Sequence, residues 1–186
     1  MPNGSLDKLM KEKSDLSQTK KYIILLGIAE GMKSLHSENI IHCNLTPNNI
    51  LIDQNLYPHI SEYGLLKIIQ TLDSSISMKY YSCSPLYMAP EVISKSQYSD
   101  KSDVYSFSII AYELLTGTFP YQKVKNPYSI QKVVLKGVRP KISLIQDESI
   151  QLLLNKCWST EPEDRPTFDE IVSELKSNKN YIIDGV

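Results

Sequence analysis

The spacing of apolar residues predicts a mainly helical chain. Within residues 17–36, apolar side chains recur at helical spacing: Ile24, Ile28, Met32 and Leu35. A second stretch opens near Ser102, is apolar on most of its surface and stops at Gly117. Because a helix that is apolar on most sides is normally buried, we expect this second stretch to form the central helix of the core.

Shorter helices are predicted by local start signals and by apolar periodicity. They begin near residues 6, 128, 147 and 168. Ser5 has the side chain of an N-cap for the first of them, and Asp7 would lie in its first turn. Thr167 and Glu170 have the spacing of a capping box, which predicts the start of the last helix.

Two short β-prone runs, Ile50–Ile52 and residues 57–60, predict a β-hairpin because polar turn residues separate them. Gly27 and Gly31 lie on or near the apolar stripe of the first long helix. Glycine lowers helix propensity, so its presence there indicates the close approach of a neighbouring element rather than a ligand site.

The composition is that of one ordinary globular domain. The chain has 186 residues, of which 41% are hydrophobic and 22% charged. With a net charge of −1 and no recognised basic cluster, we expect no nucleic-acid partner. The apolar runs are too short to span a bilayer and no signal peptide is recognisable, which predicts a cytoplasmic protein without membrane attachment. The cysteines are interpreted as reduced thiols: Cys43, Cys83 and Cys157.

The most informative stretch is residues 41–52, a polar loop with a proline that runs into the first β-prone segment. It resembles the catalytic loop of a protein kinase, whose pattern is His-Arg-Asp-Leu-Lys-x-x-x-Asn or a close variant. Matching residues of this loop are His42, Leu45, Pro47 and Asn49. Three chemical positions differ from the pattern: Cys43 replaces the arginine, Asn44 the aspartate and Thr46 the lysine.

Further motifs continue the resemblance. Residues 61–64 resemble the Asp-Phe-Gly magnesium motif in altered form, and residues 84–91 match the Ala-Pro-Glu end of an activation segment. Asp103, Trp158 and residues 165–168 follow in the order of the kinase large lobe. The resemblance therefore covers nearly the whole chain.

The resemblance implies an α+β, mainly α fold. We expect a kinase-like large (C-terminal) lobe with a small β-hairpin over residues 1–177, followed by a tail over residues 178–186. The N-terminal lobe is absent from the sequence, because neither a Gly-x-Gly-x-x-Gly loop nor a Val-Ala-x-Lys strand occurs.

The segment at Met1 resembles the exit of the kinase hinge, so this methionine resembles an internal position of a longer domain. We expect either strand-rich sequence upstream or a protein partner that supplies the missing cover. Without it, three apolar residues would be exposed: Leu51, Ile52 and Tyr63.

In an active kinase, phosphoryl transfer depends on positioning and on charge stabilisation by magnesium, two lysines and an aspartate that orients the hydroxyl group. The resemblance places Asn44 at the base position and Thr46 at the lysine position, and both are degenerate. The interpretation is a catalytically impaired kinase, or pseudokinase, that acts through protein interaction. An active ATP-dependent Ser/Thr-type kinase is the alternative function. An ordinary solvated loop is the alternative for Asn44 and Thr46.

Cofactor-binding positions are also implied. Asn49 and Glu62 resemble the magnesium ligands, whereas Leu51 and Ile52 resemble the floor of the adenine pocket. The implied cofactor is Mg-ATP, bound weakly or not at all by this chain. The alternatives are a loop-bracing amide for Asn49 and plain core positions for the two strand residues.

The remaining candidate residues are expected to be structural. The resemblance implies that His42 is held by Asp103 of the buried helix. It also implies that Glu91 and Arg165 form an ion pair that ties the activation segment to the helices. Two further histidines show no recognisable partner and are predicted to be surface or loop residues: His36 and His59.

Overall fold

The computed structural model describes residues 2–12, 16–63, 84–124 and 126–177. Its helices are α1 (Leu6–Glu12), α2 (Gln18–Ser37), α3 (Pro90–Lys95), α4 (Asp100–Thr116), α5 (Pro127–Leu135), α6 (Glu148–Cys157) and α7 (Phe168–Ser177). Strands β1 (Ile50–Ile52) and β2 (Pro58–Ile60) form an antiparallel hairpin. The predicted mainly helical α+β fold with one hairpin is confirmed.

Helix α4 lies at the centre of the core, as its apolar sequence predicts. Its buried apolar residues are Val104, Tyr105, Phe107, Ile109, Ile110, Ala111, Tyr112 and Leu114. Reciprocal hydrogen bonds between Ser99 and Ser102 cap its N-terminus, and Gly117 ends it in the left-handed conformation (φ 63°). Helices α2 and α6 both pack against α4.

Two glycines allow the hairpin to lie directly on helix α2. A Cβ atom added at Gly27 would come within 2.6 Å of Pro58 Cγ, and one at Gly31 within 3.0 Å of Ile60 Cγ1. The predicted close approach of a neighbouring element is therefore confirmed. The packing of β2 on helix α2 also positions the candidate site, because β2 leads directly into Ser61.

The N-terminal segment adds to the edge of the hairpin. The amide of Asn3 donates to the carbonyl of Ile52 (3.3 Å), and the amide of Ile52 donates to the carbonyl of Gly4 (2.8 Å). Ile52 is 0% exposed, whereas Tyr63 is 47% exposed. The expectation that Ile52 would be uncovered is therefore wrong, since the core and the N-terminal segment already enclose it.

Helix α7 begins with the predicted capping box. The amide of Glu170 donates to Thr167 Oγ1 (3.3 Å), and the amide of Thr167 donates to Glu170 Oε2 (2.7 Å). An ion pair between Lys33 and Asp169 (2.9 Å) joins α7 to α2. Of the helices that the structure describes, none is both long and apolar enough to cross a bilayer.

The sequence pattern did not predict helix α3 or the one-turn 3₁₀ segments. These segments are Pro47–Asn49, Pro85–Tyr87, Ile142–Leu144 and Pro162–Asp164. Three of them begin with a proline, which fixes φ at a value suited to a helical turn. They are too short to produce a detectable periodicity.

Candidate functional site

Asp103 holds the candidate loop through its backbone. Its buried carboxylate accepts hydrogen bonds from the amides of His42 (2.8 Å) and Cys43 (3.0 Å). The Nε2 atom of His36 also lies 2.9 Å from Asp103 Oδ2. Cys43 has a positive φ of 68°, so the loop turns sharply where Asp103 grips it.

The implied contact between His42 and Asp103 is present, and it is made by the main-chain amide of His42. The expectation about His36 needs correction. His36 was expected to be a surface or loop residue without a partner, but its side chain is only 15% exposed and contacts Asp103. It also packs edge-on against Phe168, with ring centroids 5.1 Å apart. His59 is exposed, as expected, but lies 3.3 Å from Asp53.

The imidazole of His42 is part of the core. The residue is 1% exposed, and its Nδ1 atom accepts a hydrogen bond from the amide of Asn44 (3.3 Å). Burial lowers the pKa of His42, so the ring is neutral at pH 7. A neutral buried ring is suited to a structural role, which stays a prediction for this residue.

Asn49 braces the loop from within. Its side-chain Nδ2 donates to the carbonyl of Asn44 (2.9 Å), and its own carbonyl accepts from the amide of Ser61 (2.9 Å). Asn49 is 7% exposed. The side-chain amide of Asn49 therefore has the alternative role considered for it, which is to brace the loop. The contact between Asn49 and Ser61 brings Glu62 beside the same loop.

The residues that differ from the kinase pattern border a small cavity of about 20 Å³. It lies between the loop and the segment around Tyr87, and its lining includes Asn44 and Thr46. Thr46 is only 8% exposed, so the expectation of an ordinary solvated loop is wrong for this residue. Among the described residues that line the cavity, Asp103 is the one carboxylate.

Arg165 and Glu91 form a buried bidentate ion pair. Arg165 Nη1 lies 2.7 Å from Glu91 Oε1, and Nη2 lies 2.8 Å from Oε2. The guanidinium also donates to three carbonyls: those of Ser159, Lys101 and Thr160. The side chain of Arg165 is 0% exposed and that of Glu91 is 11% exposed, so the guanidinium end of each of these bonds is buried.

The comparison with known proteins agrees with this arrangement. A family model for protein tyrosine and serine/threonine kinases matches residues 1–175. The chain belongs to the protein kinase family. The resemblance recognised in the loop and activation-segment motifs is thereby confirmed.

Relatives of this kinase domain are much longer proteins. It is 39% identical to the dual specificity protein kinase shkB of Dictyostelium discoideum, over all of this chain and 29% of shkB. It is 33% identical to the dual specificity protein kinase pyk3 of the same organism, over 98% of the chain and 14% of pyk3. Serine/threonine-protein kinase STY46 of Arabidopsis thaliana is 34% identical over 95% of the chain and 30% of that protein. The chain spans less than a third of each of these relatives.

Kinases in general use Mg-ATP, and the oxygen atoms of this kinase domain fit magnesium in chemical type. Asn49 offers an amide oxygen and Glu62 an exposed carboxylate. Magnesium is commonly bound by one or two carboxylates, with water and substrate phosphates completing the octahedron. Within the described ranges no three His, Cys, Asp or Glu residues form a metal-binding group. Asn49 and Glu62 therefore match magnesium in donor type.

The two predicted adenine-pocket residues of the kinase domain lie on opposite faces of β1. Ile52 is 0% exposed and belongs to the core, which is the alternative role considered for it. Leu51 is half-buried and pairs with Ser5. Since side chains alternate along a strand, a nucleotide lying on the surface of β1 would contact Leu51 and not Ile52.

One contact near the loop was missed from the sequence. The hydroxyl of Tyr87 donates to Glu113 Oε2 (2.7 Å), joining the end of the activation segment to helix α4. Burial raises the pKa of Glu113, although the bond from Tyr87 opposes that change. The available signal was that Glu113 is the one carboxylate in the apolar part of this helix, residues 104–116.

Proposed function

We propose that this kinase domain is catalytically impaired and acts through protein interaction. The observation that carries the proposal is Asn44, an amide at the position where the kinase pattern has an aspartate. Asp103, which accepts from the amide of His42, and Asn49, which donates to the carbonyl of Asn44, hold the loop in shape. The chain therefore has the frame of a catalytic loop without its proton acceptor.

The expected loss of phosphoryl-transfer rate is large. An amide oxygen can orient a hydroxyl group, but it accepts a proton poorly, and general-base help contributes about two to four orders of magnitude in rate. Thr46 supplies no positive charge to the transferred phosphoryl group. Removing one preorganised charge or donor costs on the order of 3 kcal/mol in the barrier.

No described carboxylate that lines the cavity beside Asn44 is available to replace the missing base. The carboxylate of Asp103 lines the same cavity, but it already accepts from two backbone amides. Taking up a proton there would weaken both bonds and release the loop. Asp103 is therefore committed to holding the backbone, which supports impaired phosphoryl transfer.

An active Ser/Thr-type kinase is the second candidate. Asn49 and Glu62 favour it because they retain oxygen ligands of the type magnesium prefers. Curated relatives that are named dual specificity or serine/threonine kinases favour it as well. This candidate also requires the nucleotide-binding residues of a kinase small lobe, which lie outside the motifs recognised in this sequence.

Radiolabelled ATP and a generic protein substrate test the proposal. We expect no phosphoryl transfer from the chain, none after Asn44→Asp, and a thermal shift with Mg-ATP of less than about 1 °C. Catalytic groups act as a unit, so restoring one of them should not restore the rate. The assay should be repeated on the longest natural protein that contains this domain. Robust turnover that Asn49→Ala abolishes would establish the active kinase instead.

A further inference from the structure

The charges of this chain are strongly segregated. Between Glu113 and Asp147 the sequence contains no Asp or Glu. The same stretch contains six basic residues: Lys123, Lys125, Lys132, Lys136, Arg139 and Lys141. All 21 acidic residues therefore lie elsewhere, and the net charge of −1 conceals this distribution. The expectation that the chain has no basic cluster is wrong.

Exposed residues of this stretch run from helix α5, through the turn that follows it, to the Ile142–Leu144 segment. Three lysines and three aliphatic residues alternate along this part of the chain: Lys132, Leu135, Lys136, Val138, Lys141 and Leu144. We call this set the basic surface. Its three aliphatic side chains are 49%, 46% and 43% exposed, in chain order. Its lysines are exposed and form no ion pair within the described residues.

Hydrogen bonds fix the turn in the middle of the basic surface. Gly137 has a φ of 78°, and the amide of Val138 donates to the carbonyl of Val133 (3.0 Å), which closes a tight turn after α5. Arg139 donates from Nη1 to the carbonyl of Val134 (3.1 Å) and from Nε to that of Trp158 (2.7 Å). The turn is thus fixed to the end of helix α6, so a partner would meet a preorganised surface.

Helix α5, which carries part of the basic surface, lies beside the candidate site. Helix α5 packs against α3 and the Pro85–Tyr87 turn. Gln131 Nε2 approaches the sulfur of Met88 (3.9 Å), and both Tyr87 and Met88 line the cavity beside Asn44. A protein held on α5 would therefore lie next to the activation segment.

We propose that the basic surface binds an acidic segment of a partner protein that also carries apolar side chains. The three unpaired lysines match carboxylates, and the three aliphatic residues match apolar side chains. Protein interfaces commonly combine an apolar centre with a charged rim, whereas nucleic-acid interfaces are more polar. The proposal rests on the proposed interaction role and identifies the surface that performs it.

The test measures binding of a fluorescein-labelled helical peptide of about 16 residues, with Glu on one face and Leu on the other. Fluorescence anisotropy is recorded without nucleotide at about 50 mM and about 300 mM NaCl. We expect saturable binding that weakens about tenfold or more at the higher salt concentration. The triple change Lys132→Glu, Lys136→Glu and Lys141→Glu should weaken binding by about tenfold or more relative to the wild type at the same salt concentration, because it replaces three attractive charges by repulsive ones.

A matched variant with reversed charge at Lys8, Lys20 and Lys95 has the same net charge and should bind as the wild type does. A peptide with Ser in place of Leu should bind at least about tenfold more weakly, because it lacks the apolar contacts. Circular dichroism should show that both protein variants are folded, since all six lysines are exposed.

Three results would overturn the assignment. They are equal loss of binding in both triple variants, tighter binding of single-stranded DNA or RNA than of the peptide, and a lysine-dependent homodimer in sedimentation experiments. The test contains no ATP, so its outcome is separate from that of the phosphoryl-transfer assay. An active enzyme would contradict the proposed function and leave the docking result unchanged.

Discussion

The ion pair between Arg165 and Glu91, which we call the Arg165 anchor, and the candidate loop use charge in different ways. The buried guanidinium of Arg165 forms hydrogen bonds with Glu91 and with backbone carbonyls. In the loop, the residues that hold the backbone match the kinase pattern, whereas Asn44 and Thr46, which would act on a substrate, do not. The comparison shows that this chain matches the kinase pattern at positions that maintain geometry and departs from it at Asn44 and Thr46.

The largest effect should come from breaking the Arg165 anchor. Arg165→Ala or Glu91→Ala should lower the free energy of unfolding by about 3–5 kcal/mol, because the remaining partner is a buried charge without its counterion. Asn44→Ala should cost less than about 1 kcal/mol, because the bond from Asn49 goes to the backbone of Asn44. Urea denaturation of the three variants measures the difference. Equal urea midpoints for the three variants would contradict the prediction that the Arg165 anchor contributes more to stability than the side chain of Asn44 does.

The anchor and the loop also differ in how well the sequence predicts them. Glu91 and Arg165 lie in short motifs of fixed spacing, so their pairing followed from the resemblance. The contact between His36 and Asp103 joins residues 67 positions apart, and no local motif marks it. It depends on how α2 crosses α4, which periodicity alone does not specify.

Local signals were reliable elsewhere in the fold. The capping box at Thr167 and the stop at Gly117 were predicted because each depends on a few neighbouring residues. Gly27 and Gly31 predicted a close neighbour, but they did not identify it as β2. The basic surface was missed because net charge sums over the whole chain and contains no information about where charges lie.

The contacts of Gly27 and Gly31 test how closely the hairpin packs on helix α2. Gly27→Ala should cost about 1–3 kcal/mol, since its new Cβ would clash with the rigid ring of Pro58. Gly31→Ala should cost less than about 1 kcal/mol, because the Ile60 side chain can move and alanine is the better helix former. Ser34→Ala, at an exposed position of the same helix, is the control. Thermal unfolding that ranks Gly31→Ala as the more damaging change would show that the hairpin is placed differently.

The smallest effect should come from Glu113, where the activation segment meets helix α4. Burial raises the pKa of this carboxyl, so the folded protein takes up a proton more readily than the unfolded chain does. The stability associated with the protonated carboxyl is therefore present at low pH and is lost as the pH rises through the folded-state pKa. Glu113→Gln cannot ionise, and its amide oxygen still accepts the bond from Tyr87.

The Tm of Glu113→Gln relative to the wild type should therefore increase from pH 5 to pH 8, by no more than about 2–4 °C. Tyr87→Phe should have the opposite effect and destabilise more at pH 8 than at pH 5, because it removes the donor from an ionised buried carboxylate. Glu163→Gln changes an exposed carboxylate and serves as the control. A difference in Tm that shrinks as the pH rises would mean that Glu113 is stabilised in its charged form. In that case the contact between Tyr87 and Glu113 would resemble the Arg165 anchor, in which the charged form of the carboxylate is compensated by its partner.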